Sequence, residues 1–367
     1  MSQGLPDLSP QQQLSKPEFD GEWVRLGDVC TKGKSNLRQK DLKNDGPYPV
    51  YGAPGIVGFS SNYQNADAYV AVVKDGAGVG RVMACEPRSS VLGTMQALLP
   101  GKGTDRDYLL HLVRSMDLGK GFTGSTIPHI YFKDYGKTLV RALSRGRQVE
   151  VANRLSGIDR LISQGKQQLS ALNDLVKSQF VEMFGDPRLN TKEWPLVKLG
   201  DVASTRLGKM LDAKKQTGLE ARPYLANTDV QWFRFNLENL KTMDFDAGDR
   251  KEFALRDGDV LATEGGEVGR CAIWHCELEE CYFQKAVHRI RCDSERLLPI
   301  FLAWTFKMKS ERNLFGSYVS RSTIAHLTGE KLRKVPIQLP PLALQQQFAD
   351  FVARVDKLGF DKACREP

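Results

Sequence analysis

The sequence predicts an α+β protein in which two repeated mixed α/β modules are joined by a long coiled-coil spacer helix, with a second, shortened helix at the C-terminus. Three observations lead to this fold class. Four blocks of sequence occur twice in the same order, one segment has a heptad pattern of apolar residues, and short β-like runs alternate with Gly, Asp and Asn turns. Internal repetition of this kind indicates that one structural unit is used twice.

The chain has 367 residues, which is more than one ordinary domain needs. The patterns below divide it into a flexible N-terminal tail, a first module, a long helix, a second module, the start of a second helix and a C-terminal tail. The predicted ranges are, in that order, 1–20, 21–147, 148–186, 187–343, 344–358 and 359–367.

Three of the four repeated blocks lie within the modules. They are Trp23–Val29 with Trp194–Val202, the glycine-rich Lys74–Arg81 with Thr263–Arg270, and Ser125–His129 with Ser322–His326. The register of the last pair continues from Val151-Ala152 to Phe348-Ala349. The stretch from Leu37 to Asp67, by contrast, has no good counterpart around Lys214 to Asp246. The two modules are therefore predicted to share a frame and to differ in the surface that they present.

A long helix follows the first module. Apolar residues recur along it at alternating steps of four and three, with Gly165 and Gln179 as the interruptions: Val151, Leu155, Ile158, Ile162, Leu169, Leu172, Val176 and Met183. A 3.5-residue repeat is typical of a coiled-coil seam, and about 38 helical residues span about 55 Å. A long helix packed on a globular core is the alternative, but a core helix usually has a wider apolar face.

The second module ends with the beginning of the same stripe, at Phe348, Val352 and Val355. The pattern then stops, because Gly359 falls where Ile162 stands in the first copy. We expect this second helix to be truncated, and the uncovered seam of the first helix to favour self-association.

Several local segments accompany this architecture. They are Glu22–Val29, the Gly-Ser-Thr-Ile-x-His segment, Ser178–Pro187 at a helix end, and Pro336–Leu342 before Gln345–Phe348. Two variable modules, each followed by a related helix and these segments, resemble the specificity subunits of type I restriction-modification systems. The resemblance covers roughly residues 20 to 358, and the ordered repeat carries more of it than any single motif.

The resemblance implies that each module is a target-recognition domain that reads one half of a split site in double-stranded DNA. It also implies that the helices set the gap and dock two methyltransferase subunits, which a restriction and translocation subunit joins. The chain itself would have no catalytic residue and no cofactor, since S-adenosylmethionine, ATP and Mg²⁺ belong to those partners. The separate specificity chain of a type IIB-like enzyme has a similar architecture and remains an alternative.

Composition is compatible with this assignment. The chain has 52 Lys and Arg against 44 Asp and Glu, a net charge of +8 that suits a polyanion but does not by itself separate DNA binding from other roles. It contains no apolar run long enough for a membrane span and no signal-peptide core. Seven cysteines without an export signal indicate reduced thiols, so we expect a cytoplasmic protein. The resemblance implies that its source is a prokaryote.

The candidate DNA contacts begin with Arg81 and Arg270, which close the two glycine-rich loops. Glycines let a backbone approach a ligand closely, although a tight turn with an exposed arginine is an equal alternative. The Ser-Thr-Ile-x-His segments add hydroxyl and imidazole groups suited to phosphate, or alternatively to helix capping: Ser125, Thr126, His129, Ser322, Thr323 and His326. The other candidates are basic residues in turn-like stretches, where a solvated surface is the alternative: Lys34, Arg38, Lys120, Lys133 and Arg321. Lys209 is a further candidate in Gly208-Lys209-Met210, where a structural turn is the alternative.

Two enzymatic interpretations are weaker. Gly33-Lys34-Ser35 lacks the preceding glycine of a phosphate-binding loop, because that position is Asp28. Cys271, Cys276 and Cys281 are separated by four residues rather than the two usual in zinc sites, so we expect no metal. A metal-dependent or nucleotide-using enzyme, or a scaffold whose coiled coil binds protein only, remain as the lesser alternatives.

Overall fold

The computed structural model describes residues 21–123, 128–212, 216–318 and 326–363, apart from the side chains of residue 41 and residues 359–363. The described chain divides into two compact units, and the division between Gln164 and Gly165 falls inside the long helix. None of the described helices combines the length and the apolar composition that crossing a bilayer requires.

The first unit consists of short strands and helices that precede the long helix α4. In chain order they are β1 (Glu22–Arg25), α1 (Leu26–Val29), β2 (Cys30–Lys32), β3 (Tyr48–Gly52), β4 (Gly55–Ser60), β5 (Tyr69–Val73), β6 (Val82–Cys85), β7 (Ser90–Val91), β8 (Met95–Pro100), α2 (Arg106–Ser115), α3 (Phe132–Tyr135), β9 (Leu139–Ala142) and α4 (Arg145–Phe184). Single 3-10 turns lie at Gln39–Asp41 and Leu118–Lys120.

The second unit repeats this order with additions. Its elements are β10 (Leu196–Lys198), β11 (Ala203–Leu207), β12 (Ala221–Leu225), β13 (Val230–Gln231), β14 (Arg234–Phe235), β15 (Lys241–Asp244), α5 (Ala247–Glu252), β16 (Val260–Thr263), β17 (Cys271–Ile273), β18 (Tyr282–Phe283), β19 (Val287–Cys292), α6 (Pro299–Glu311), α7 (Gly329–Arg333), β20 (Pro336–Gln338) and α8 (Leu342–Ala363). Single 3-10 turns lie at Leu199–Asp201 and Gly316–Tyr318.

The sheets of the two units have the same topology. Each unit has a four-stranded antiparallel sheet, in the order β2-β8-β5-β6 or β11-β19-β16-β17, and a two-stranded ribbon, β1-β9 or β10-β20. Each also has a three-stranded sheet, β4-β3-β7 or β15-β12-β18, in which one pair is antiparallel and the other is parallel. The predicted pair of repeated mixed α/β modules is therefore confirmed. Of the described residues, the hairpin β13–β14 and helix α5 are additions in the second unit.

Strand β5 shows how the sequence produces this layered core. All five of its residues, Tyr-Val-Ala-Val-Val, are buried, and successive side chains of a strand point to opposite faces. Val70 and Val72 pack with Leu109 of α2, whereas Tyr69, Ala71 and Val73 pack in the cluster of the three-stranded sheet. A continuous apolar run is what a strand covered on both faces requires.

Helix α4 has 40 residues, which corresponds to a length of about 60 Å. It begins three residues before the predicted start and ends two residues before the predicted end. Gly185 follows it with a φ of +83°, a conformation that glycine adopts easily and that commonly terminates helices. Helix α8 continues to Ala363, beyond the predicted 358, and so passes through Gly359. A glycine inside a helix costs only about 1 kcal/mol relative to alanine, so it weakens this helix without ending it.

Candidate nucleic-acid interface

In each unit a glycine-rich loop connects two neighbouring strands of the four-stranded sheet, β5 to β6 in the first unit and β16 to β17 in the second. In the first unit the N–H of Val73 donates to the carbonyl of Arg81 at 2.8 Å, and in the second the N–H of Thr263 donates to that of Arg270 at 2.8 Å. Val73 therefore corresponds to Thr263, and the first loop is one residue longer. The repeat in the sequence matched Lys74 with Thr263. That match is wrong by one residue at the start of the loop, because Val73 is the residue that corresponds to Thr263.

The predicted histidines lie beside these loops. The backbone of His129 pairs with Asp75, and that of His326 pairs with Gly265. The structure thus brings together two segments that are far apart in sequence, and it does so in both units. His129 Nδ1 also lies 2.8 Å from Asp75 Oδ1, and its ring is stacked on Tyr131 with the centroids 6.3 Å apart. In the second unit Gly265 offers no side chain for an equivalent contact.

The loop glycines are required by close packing within the chain. A Cβ on Gly80 would lie 2.2 Å from the backbone nitrogen of Gly119, and one on Gly269 would lie 2.6 Å from Phe315 Cε2. Gly76 differs, because it has a φ of +84° and nothing lies within 4 Å of the position that a Cβ would occupy. The open part of the first loop around Gly76 therefore leaves room for the backbone to approach a ligand.

Arg81 and Arg270 hold the neighbouring loops of their own units. Arg81 Nη1 donates to the carbonyl of Ala53 at 3.0 Å, and Arg270 Nη2 donates to the carbonyl of Asn227 at 2.9 Å. Both carbonyls follow the central strand of a three-stranded sheet, β3 or β12. Arg81 is exposed, whereas the side chain of Arg270 is only 16% exposed. The repeated contact shows that these arginines fix a loop; their contact with DNA stays a prediction.

Two of the predicted residues of the first unit, Lys120 and His129, line one cleft. This cleft of about 480 Å³ lies between the 3-10 turn that contains Lys120 and the segment from His129 to Tyr135. Lys120 is exposed and pairs with Asp117 at 2.6 Å, and the Lys133 ammonium lies 5.3 Å from the centre of the Tyr131 ring. The cleft therefore combines aromatic and basic groups with carboxylates rather than presenting positive charge alone.

The remaining basic candidates fall into two groups. Lys34 and Arg38 are exposed, and the carbonyl of Lys34 accepts a hydrogen bond from Asn65 Nδ2 at 3.2 Å. A Cβ on Gly33 would lie 2.6 Å from Asn65 Oδ1, so this turn packs against its own unit. Lys209 is largely buried, where it pairs with Asp249 and donates to the carbonyl of Asp244 at 2.6 Å. Its charge is thus compensated internally.

The hydroxyl candidates and one arginine cannot be placed. Five of the predicted residues lie outside the described part of the chain: Ser125, Thr126, Arg321, Ser322 and Thr323.

The predicted stripe of α4 has three parts. Val151 packs beside Ala152, Tyr108 and Leu143 of the first unit. The middle of the stripe is exposed, at 38% for Leu155, 52% for Ile158, 51% for Ile162 and 53% for Leu169. The end of the helix is buried in the core of the second unit through Val176, Phe180 and Phe184, with Leu172 and Met183 partly buried beside them.

The end of α4 therefore departs from the predicted heptad. The prediction continued the seam through Gln179 and Met183, but the fully buried residues are Phe180 and Phe184. Steps of four residues give the wider face of a helix on a globular core. Phe348, Val352 and Val355 of α8 belong to the same core, so the alternative of core packing describes this end of the helix.

Two of the three cysteines that were considered for a zinc site, Cys271 and Cys281, are buried. Burial raises the pKa of the Cys281 thiol to about 12 and raises the pKa of Cys271, whereas Cys276 is exposed. A thiol must lose its proton to bind a metal. Within the described ranges, no three His, Cys, Asp or Glu side chains lie close enough together to hold a metal ion.

Sequence reasoning missed two buried glutamines, Gln148 and Gln345, which are 6% and 0% exposed. They stand in the first turn of α4 and of α8, and each makes three hydrogen bonds to its own unit. The offset of 197 residues that relates Val151 to Phe348 also relates Gln148 to Gln345. This repetition is the sequence signal that could have identified the two glutamines.

Comparisons with known proteins agree with the repeat. A family profile described as the type I restriction modification DNA specificity domain matches residues 20–173 and 191–362. A Haemophilus influenzae protein described as a type I restriction enzyme specificity subunit is 22% identical over 369 aligned positions, which cover 92% of this chain and 88% of that protein. The crystal structure of a type I restriction-modification S subunit from M. genitalium has a TM-score of 0.59 at 13% identity, and the match covers 97% of this chain and 94% of that one.

Proposed function

Because this chain belongs to the family of type I restriction-modification DNA specificity proteins, we propose that it reads a bipartite site in double-stranded DNA, one half with each unit. The observation that carries this proposal is the repeated sheet topology, which occurs once on each side of the middle of α4. A helix of about 60 Å is longer than the roughly 35 Å of one turn of DNA, so two readers on it suit a split site.

The sequence differences between the units support two different half-sites. The strands of the shared sheets correspond in order, whereas the second unit adds β13, β14 and α5 between β12 and β16. Residues that contact bases are expected where the units differ, because phosphate contacts position a protein and base contacts specify the sequence.

We assign phosphate contacts first to the exposed basic candidates of the first unit, Lys34, Lys120 and Lys133. Arg81 is exposed and would add one contact while it holds its loop. Lys209 and Arg270 are committed to internal contacts, so we assign them to loop positioning instead. The gain in affinity from such contacts should fall steeply with salt.

The chemistry is assigned to other chains. The proposal has this subunit position two methyltransferase subunits, which a restriction and translocation subunit joins, in the cytoplasm of a prokaryote. S-adenosylmethionine, ATP and Mg²⁺ would act on those subunits, and this chain would contribute recognition only. The exposed middle of α4, from Leu155 to Leu169, is the proposed docking surface, since five large apolar side chains there are exposed.

The test is co-expression with a methyltransferase subunit of a type I system from the same host, followed by purification and long-read mapping of methylated bases. The proposal expects a stable complex and one asymmetric motif made of two half-sites with a fixed gap. A complex that methylates without sequence preference would contradict the recognition role. A chain that forms only homo-oligomers and binds no methyltransferase would contradict the docking role. Co-purification of a helicase-bearing subunit would separate type I from type IIB-like partners.

A further inference from the structure

Each unit anchors the helix that leaves it through one buried glutamine. Gln148 is the fourth residue of α4 and Gln345 is the fourth residue of α8. Their neighbours differ from them in environment, since Arg147 and Gln346 are exposed and pair only along their own helices, with Glu150 and Asp350. Among the described first-turn residues, the glutamines are the buried polar side chains, whereas Arg145 pairs with Asp105 through a side chain that is 57% exposed.

The two glutamines make the same set of hydrogen bonds. Gln148 Oε1 accepts from the N–H of Asp105 at 2.7 Å, and its Nε2 donates to the carbonyls of Leu143 at 2.8 Å and Gly103 at 3.2 Å. The Gln148 carboxamide group therefore uses its oxygen and both of its N–H groups.

In the second unit Gln345 Oε1 accepts from the N–H of Leu298 at 2.9 Å. Its Nε2 donates to the carbonyls of Pro340 and Arg296, each at 2.9 Å. Asp105 and Leu298 are the N-cap residues of α2 and α6. Both long helices are consequently joined at the same point to the N-terminus of the helix that covers the four-stranded sheet.

Such a contact fixes an angle as well as a position. Hydrogen bonds weaken steeply when their angles change, whereas apolar side chains can slide with little loss. At the start of α4 the apolar contact is a small cluster of Tyr108, Leu143 and Ala152. A tilt of about 10° there would move the far end of a rod of about 60 Å by about 10 Å. That distance is about three base pairs, since about ten base pairs span about 35 Å.

We propose that Gln148 and Gln345 are positioning residues that set the angle between each recognition unit and its long helix, and that Gln148 thereby sets the gap between the two half-sites. This inference rests on the proposed function. Gln148 has the larger effect on the gap, because the second unit also holds the end of α4 through Phe180 and Phe184.

The experiment uses the full chain in complex with its methyltransferase subunits. Wild type, Gln148→Met and Gln345→Met are given duplexes that contain both half-sites with the gap varied one base pair at a time. Methionine has a similar shape but makes none of the three hydrogen bonds. We expect Gln148→Met to reduce the preference for the correct gap about tenfold, with the half-site sequences unchanged, and Gln345→Met to reduce it less.

Two control variants separate positioning from stability. Arg147→Ala changes the adjacent exposed residue, and Leu109→Ala destabilises the core of the first unit without touching Gln148. Both should keep the gap preference of wild type. A Leu109→Ala variant that tolerates wrong gaps as well as Gln148→Met does would overturn the proposal, and so would a Gln148→Met variant with wild-type gap preference.

A further variant covers the case in which Gln148→Met does not fold. Gln148→Glu keeps an acceptor for Asp105 N–H at the N-terminus of α2, where a negative charge is favourable, but it loses the donors to Leu143 and Gly103. It should also broaden the accepted gap, and unchanged gap preference would overturn the proposal. Failure of wild type to prefer any gap would instead refute the proposed function, so the two failures are distinguishable.

Discussion

The two units hold the long helices by different means beyond the shared glutamines. In the first unit a small apolar cluster around Ala152 is followed by polar contacts of α4. Arg114 Nη1 lies 2.7 Å from Asp159 Oδ2, and His111 Nε2 lies 3.0 Å from Ser156 Oγ. Both pairs join α2 to successive turns of α4, and they continue the line of contacts that begins at Gln148.

In the second unit the additional contacts are mainly aromatic, beside one ion pair between Lys177 of α4 and Glu311 of α6 at 2.9 Å. The ring of Phe180 lies 5.7 Å from that of Phe301 and 5.5 Å from that of Phe348, measured between centroids. Phe184 contacts the same two rings, at 4.8 Å and 5.5 Å. The end of α4, the start of α8 and helix α6 therefore share one apolar core.

The difference shows that contacts to a helix can have two roles, which are to stabilise the helix and to fix its orientation. Burial of apolar area by aromatic rings contributes several kcal/mol, and this hydrophobic contribution is not directional. Hydrogen bonds contribute about 1 kcal/mol each but define an orientation. We infer that the second unit provides the stable end of α4, and that the first unit provides an end whose direction depends on a few polar groups.

The largest effect is expected from Phe180→Ala. The ring is 2% exposed in the core of the second unit, and removal of a buried Phe side chain costs about 3–5 kcal/mol of the free energy of unfolding. Hydrogen exchange followed by mass spectrometry in increasing denaturant would measure the loss for each unit separately. Leu169→Ala, at a position that is 53% exposed, should cost less than about 0.5 kcal/mol. Similar losses for the two variants would contradict the aromatic anchor.

A smaller loss, of about 1–2 kcal/mol, is expected for the first unit from Asp105→Ala. Its carboxylate accepts from the N–H groups of Asp107 at 2.9 Å and Tyr108 at 3.0 Å, so it caps α2. It also lies 3.0 Å from Arg145, the first residue of α4. Asp105→Asn keeps the cap and loses only the ion pair to a side chain that is 57% exposed. If the midpoint temperature of thermal unfolding falls as far for Asp105→Asn as for Asp105→Ala, capping of α2 is not the main contribution of Asp105.

A pH-dependent effect is expected from His288 of the second unit. Burial lowers the pKa of His288 from its ordinary value of 6.5, so the unfolded chain binds a proton more readily than the folded one. The stability that the neutral ring provides is complete above about pH 6.5 and is lost as the pH falls below it. The first unit has Gln96 at the corresponding position of β8.

His288→Gln should therefore remove this part of the acid sensitivity of the second unit. The measurement is hydrogen exchange of each unit between pH 7.5 and pH 5 in wild type and variant. The pKa of His111 in the first unit is also lowered by burial, and this ring is less buried, so the first unit should show the same sign with a smaller amplitude. An unchanged pH dependence in the variant would assign it to other groups.

The smallest effect is expected from Arg114→Ala. The two side chains of the Arg114–Asp159 pair are 42% and 53% exposed, and exposed ion pairs contribute at most about 1 kcal/mol. A double-mutant cycle with Asp159→Ala, at low and high salt, would measure the coupling. A coupling that does not decrease with salt would show that the pair acts through packing rather than charge.

The repeat, the mixed α/β modules and the long helix could be predicted from the sequence. They depend on patterns that extend over many residues, so a local error changes little. The end of α4 could not be predicted in the same way. A heptad continued from Val151 reaches Gln179 and Met183, but the core of the second unit selects Phe180 and Phe184, and the sequence of the helix alone does not contain that core.

The candidate site was predictable only in part. The equivalence of the glycine-rich loops was visible, and their pairing with His129 and His326 required the fold. Lys209 appeared to be a surface lysine, since its partner Asp249 lies 40 residues away in sequence. The burial of Gln148 could not be predicted, because the backbone groups that it bonds, 43 and 45 residues earlier, cannot be recognised from side-chain types.

The most direct test uses a variant chain that carries the second module twice, once in its own place and once in place of the first module. Each copy is joined to the long helix that follows it at the start of that helix. The measurement is the methylation motif of this chain with its methyltransferase partner. If two units on one frame read DNA independently, the motif will contain the half-site of the second module twice and will no longer contain the first half-site. A motif that still requires the first half-site, from a complex that remains assembled and active, would contradict the account.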